Sequence, residues 1–98
     1  MGASNSPTLF VSEKTVTTAG TAVALAASQR VRSVTIVAKS GNAGQVYVGG
    51  SDVDNATNDG LAPGDALEVP VDSWLNLSEI YIDSDNNGEG VDFYAVKA

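Results

Sequence analysis

Ser33-Val34-Thr35-Ile36-Val37-Ala38 is followed by Lys39 and the small polar cluster Ser40-Gly41-Asn42-Ala43-Gly44, and then by Gln45-Val46-Tyr47-Val48-Gly49. β-Branched side chains lose rotamer freedom in a helix and pack well on a pleated surface, so the two flanking runs read as strands. At a period of two, Val34, Ile36 and Ala38 share one face, as do Val46 and Val48, and both sets are expected to point into a core. The Gly/Asn cluster between them predicts a hairpin.

The same signals recur outward from this stretch. Leu61-Ala62-Pro63-Gly64 reads as a turn in which Pro presets φ and Gly supplies a positive φ. Ala66 to Val71 is a short strand, placed at a sheet edge by Pro70. Trp74-Leu75-Asn76-Leu77 leads into Glu79-Ile80-Tyr81-Ile82-Asp83. After Ser84-Asp85-Asn86-Asn87-Gly88-Glu89-Gly90 comes Val91-Asp92-Phe93-Tyr94-Ala95-Val96, a second expected hairpin turned on Asn87-Gly88. Upstream, Ala22 to Arg32 is Ala-rich but lacks a long apolar stripe and reads mostly as strand. Thr8 to Val11 and Thr15 to Thr18 favour β structure, and the polar residues 1–7 read as a flexible arm. The chain is therefore expected to be all-β: a small, jelly-roll-like β-sandwich of seven or eight short antiparallel strands. Its expected division is an arm with first extended segments over 1–19 and one sandwich domain over 20–98.

Composition narrows the chemistry. Of 98 residues, 13 are Ala and 13 are Val, so the core is built from small side chains and is thin for its length. Oligomerisation is one remedy for so light a subunit. There is no Cys and no His, which removes disulfides, thiolate or imidazole metal ligands, and the usual nucleophile–base pairs. The formal charge of −7 is unevenly distributed. Residues 1–49 carry Lys14, Arg30, Arg32 and Lys39 against Glu13, whereas residues 50–98 carry Lys97 against eleven acids. Such a surface disfavours nucleic acid and anionic membranes as partners. The acids read first as loop charges that keep a small protein soluble, and the alternative is head-to-tail pairing between unlike faces of neighbouring subunits. No apolar run approaches the roughly 20 residues that span a bilayer, and residues 1–10 do not read as a signal peptide.

The motif search yields few ligand sites. Asp83, Asp85, Asn87 and Gly88 match the opening of a calcium loop, but the twelfth position is Tyr94 rather than Glu, so an acidic turn is the better reading. Asp52 and Asp54 stand in a second acidic loop. Trp74, Tyr47, Tyr81 and Tyr94 could stack on sugars, although the tyrosines sit mid-strand, where cross-strand packing explains them. Nothing singles out a catalytic carboxylate pair or a phosphate loop, and the chain is read as non-enzymatic, without a cofactor.

Taken in order, Gly20-Thr21-Ala22-Val23, Val34-Thr35-Ile36, Gly41-Asn42-Ala43-Gly44, Val46-Tyr47-Val48-Gly49, Leu61-Ala62-Pro63-Gly64, Ile80-Tyr81-Ile82-Asp83 and Gly88-Glu89-Gly90-Val91 form a series. In this series the chain resembles small bacteriophage structural proteins of the capsid decoration (cement) and head-fibre type. The resemblance implies a β-sandwich subunit, usually a homotrimer, made in the bacterial host cytoplasm and carried on the outer capsid surface of the virion. Its partner would be the major capsid protein, whose shell it would clamp. Thr8, Leu9, Phe10, Val11 and Trp74 are the candidate capsid or subunit contacts, with the arm adding a strand to a sheet edge. The alternatives are a fibre, collar or tail module, or a carbohydrate- or calcium-binding receptor module.

Overall fold

The computed structural model describes residues 8–98, and it is all-β, with no α-helix among them. Eight strands form: β1 (Leu9–Val16), β2 (Val23–Ala24), β3 (Arg30–Ala38), β4 (Val46–Gly49), β5 (Ala66–Val69), β6 (Leu75–Asn76), β7 (Tyr81–Ser84) and β8 (Glu89–Lys97). A larger antiparallel sheet has the order β1-β8-β3-β5, with β6 also pairing β3, and a smaller one has the order β2-β7-β4. β1 pairs with β8, β2 with β7 and β3 with β5 and β6, while an isolated bridge joins Val46 to Leu61. This nested pattern is that of a long hairpin rolled over into two facing sheets, the jelly-roll arrangement.

Neither expected hairpin forms. β3 lies in the larger sheet and β4 in the smaller, while β7 and β8 are likewise divided between the two. The reason is visible in the ladders. Both edges of β3 are already occupied, by β8 on one side and by β5 and β6 on the other. The segments after β3 and after β7 therefore cross between the sheets. Their turn residues serve as arches: Gly88, at φ +83°, donates its N–H to the Val16 carbonyl at 2.8 Å, on the far side of β8 from β3. Gly64, at φ +88°, sits in a turn closed by Asp65 N–H to Ala62 O at 2.9 Å, in line with the Pro-Gly reading. The expected strand over Ala22–Arg32 is realised only at Val23–Ala24 and again from Arg30; between them Leu25 is buried, but Ala27 and Ser28 are both small and exposed, so no alternating strand face continues. The two β-favouring runs at 8–18 form one continuous strand, β1.

The core lies between the sheets. Val34, Ile36 and Ala38 of β3, Val46 of β4, Ile82 of β7, and Val91, Phe93 and Ala95 of β8 are all buried, and Leu25 and Leu77 close one end. Phe93 is the one aromatic ring in this buried set, and Phe10 meets it edge-on at 6.5 Å. Gly90 is forced by its neighbours, since any Cβ there would strike the Lys14 carbonyl across the β1–β8 ladder.

Candidate functional site: the outer face of the larger sheet

Alternation along β1 and β8 sends Phe10, Val91, Phe93 and Ala95 inward and leaves Leu9, Val11, Tyr94 and Val96 on the opposite face. Leu9 stands opposite Val96, and Val11 opposite Tyr94, so these four side chains form one cross-strand cluster. Leu9 is 70% exposed, Val11 61% and Tyr94 48%. The next row holds Glu13 opposite Asp92, a like-charge pair that would repel. Lys39 bridges it, 2.6 Å from Glu13 Oε1 and 2.8 Å from Asp92 Oδ1. The Asp92 and Glu13 hydrogen bonds push the Lys39 pKa up to about 12. The outer face is thus apolar at one end and closed by a salt-bridged triad at the other.

Trp74 belongs to the same face further across. Arg30 precedes the buried Val31 and so points outward, with its guanidinium carbon 4.3 Å from the Trp74 ring centroid. A register shift between Val31 and Ser33 turns Arg32 outward beside it. Trp, Tyr and Arg are the side chains over-represented at the centres of protein interfaces.

Of the sequence-predicted contacts, Leu9, Val11 and Trp74 are exposed on this face, whereas Phe10 is turned inward against Phe93. Thr8 lies beside the strand, its carbonyl accepting from Lys97 N–H at 3.0 Å. β1 is already the outermost strand of the larger sheet. Tyr94 is an exposed member of this face that the sequence reading did not single out: its place mid-strand suggested cross-strand packing, and its outward side follows from the parity of Val91, Phe93 and Ala95.

The acidic turn is engaged in other bonds. Asp83 Oδ1 accepts from the N–H groups of Gly20 and Ser84, Asp85 Oδ2 from Gln45 N–H, Asp85 Oδ1 from the Tyr47 hydroxyl, and Asn87 Oδ1 from Ala19 N–H. Glu89 accepts from Ala43 and Gly44. The Gln45 N–H and the Tyr47 hydroxyl hold the Asp85 pKa below the usual carboxylate range, and chiefly the Ala43 N–H does the same for Glu89. The Asp85 bond, with burial, pushes the Tyr47 phenol up to about 12. Asp54 is held low by Thr57 and the Ala56 N–H. These carboxylates tie arches together instead of converging, and among the described residues no three metal-ligating side chains gather. Asp83 Oδ2 alone is buried without a partner. Asn42 completes the lock by pairing its amide with both the N–H and the carbonyl of Gly90. Comparison with protein-family models, curated proteins and solved structures finds no match for this chain.

Proposed function

We propose that the chain is a non-enzymatic structural subunit of a phage virion, a capsid decoration protein that stabilises the shell by binding its outer surface. One observation carries the reading: three of the five large hydrophobic side chains left exposed among the described residues, Leu9, Val11 and Tyr94, adjoin on one face of the larger sheet. A light core beneath an apolar outer face is the economy of a part that is finished only in an assembly. In the 83–89 turn, Asp83 Oδ1, Asp85 Oδ2 and Glu89 are engaged by backbone N–H groups and Asp85 Oδ1 by the Tyr47 hydroxyl, which favours an acidic turn over a calcium loop there. Binding to the expanded shell would make its opening cost the free energy of every subunit lost, by mass action.

Light scattering with and without a calcium chelator tests the assembly half of this reading. The expected result is a trimer near three times 10.0 kDa, indifferent to chelation. A monomer that melts on chelation overturns it in favour of a calcium-dependent receptor module. Co-sedimentation with expanded capsids of the encoding phage tests the other half, and the Val11→Ser variant is expected to lose that binding.

A further inference from the structure

Apart from Lys39, the basic side chains among the described residues are not neutralised by a carboxylate. The ion pairs among the described residues are both made by Lys39, so Arg30, Arg32 and Lys97 have no carboxylate partner. These three lie at one corner of the larger sheet: Arg30 and Arg32 at the start of β3, and Lys97, whose neighbour Val31 on β3 is its register partner, at the end of β8. Trp74, 48% exposed, stands at that corner under the Arg30 guanidinium. Trp74, Arg30 and Arg32 make an amphipathic knob, an indole carrying one cation with a second beside it, whereas Lys97 shares the parity of Phe93 and Ala95 and lies 5.7 Å over the Phe10 ring on the other face.

A counterpart lies on the smaller sheet. After β4 the chain runs through residues 50–60, and between this loop and β4 is a cleft of about 380 Å³. Val48 and Val53 contribute apolar lining, and Asp52 and Asp59 contribute carboxylates. Neither Asp52 nor Asp59 makes a side-chain hydrogen bond or ion pair among the described residues, in contrast to Asp54, which is engaged by Ala56 and Thr57. A chiefly polar cleft with two free carboxylates fits a pair of guanidinium groups.

We infer that copies of this chain join head to tail, the Trp74–Arg30–Arg32 corner of one copy docking into the Asp52–Asp59 cleft of the next. The occupant is a second copy because every copy carries both faces and the two are complementary in charge. Facing the same corner of two copies would instead oppose like charges. Such a heterologous contact builds a closed ring when its rotation closes, and the contact leaves Leu9, Val11 and Tyr94 free for another partner. This deepens the self-assembly part of the proposed function and is independent of the binding to a capsid.

Two charge-reversed variants of the full chain test it by sedimentation velocity: R30E/R32E, which loses the knob, and D52K/D59K, which loses the cleft. All four positions are exposed, so circular dichroism is expected to match the parent. Each variant alone is expected to be monomeric. An equimolar mixture is expected to regain association, since the intact cleft of one variant meets the intact corner of the other and the two reversed faces also complement each other in charge. The parent's association is expected to weaken at least about tenfold between roughly 0.05 and 0.5 M salt. If both variants assemble as the parent does, the contact lies elsewhere and this inference falls while self-assembly stands. If the parent is monomeric at low salt and about 100 µM, both fall, and only capsid binding survives. If the variants are monomers that fail to pair when mixed, the head-to-tail geometry is overturned.

Discussion

The two faces of the larger sheet are made by the same strands from the same kinds of side chain, yet one is a core and the other is open. Phe93 and Tyr94 are neighbours on β8. The first is buried under the smaller sheet and the second stands half in solvent. Strand chemistry cannot account for the difference, since Val11, Val96 and Leu9 are as apolar as Val34 and Val91. The difference lies in what covers each face. The arches that cross between sheets lay β2, β7 and β4 over the inner face, and nothing in the chain's described residues lies over the outer one. Apolar character therefore marks both where a subunit folds and where it meets something else.

The largest expected effect removes the inner anchor. Phe93→Ala should lower stability by about 4 kcal/mol in urea unfolding, because it deletes the largest fully buried side chain and its edge-on contact with Phe10. A loss below about 1 kcal/mol would mean that the two faces are less unequal than they look.

The next effects fall on the arches that hold the cover in place. Asn42→Ala removes two hydrogen bonds to the Gly90 backbone and should lower stability by about 2 kcal/mol. The acid limb of the stability curve sharpens the point. Asp85 and Glu89 have folded pKa values below their unfolded ones, near 4. Their contribution is complete above the unfolded value and is lost as pH falls through the folded one. Between about pH 5 and pH 3 the parent should therefore lose more thermal stability than Asp85→Asn, measured by calorimetry. Tyr47 has the opposite sign. Its pKa is raised to about 12, so its contribution holds below the ordinary phenol range and is lost as pH rises toward that value. Phenolate absorbance should show the Tyr47 phenol ionising near pH 12.

The smallest effect on folding is expected on the outer face. Val11→Ser should change the stability of the isolated chain by no more than about 0.5 kcal/mol, since the side chain is exposed in the subunit. The same variant should abolish binding to the capsid. A stability loss comparable to that of Phe93→Ala would make this face part of the fold and remove it as an interface.

Much of this contrast can be read from sequence, and the parts that cannot have definite causes. Alternation in Val34-Thr35-Ile36-Val37-Ala38 names the inward set correctly, because a pleated strand leaves no other choice. Gly64 and Gly88 mark real turns. Pairing partners are another matter: the Ser40–Gly44 and Asn86–Gly88 clusters predict that the chain reverses, but not whether it returns to its own sheet or to the facing one. That choice is made by β8 and β5, far away in sequence, which occupy β3 first. The acidic turn is a similar case. Asp83, Asp85 and Asn87 have calcium-like spacing, and only the positions of Ala19, Gly20 and Gln45 reveal that their oxygens are committed.

The pairing of Leu9 with Val96, and of Thr8 O with Lys97 N–H, has a practical consequence. The chain enters and leaves the sheet at the same corner, so anything fused before Thr8 or after Lys97 emerges from one point. A short peptide could bridge Ala98 to Thr8 while the backbone is opened in the exposed loop at Ala56–Asn58, giving a circularly permuted protein with unchanged strand pairing. As a carrier for displayed peptides, the subunit would then offer two separate attachment points instead of one.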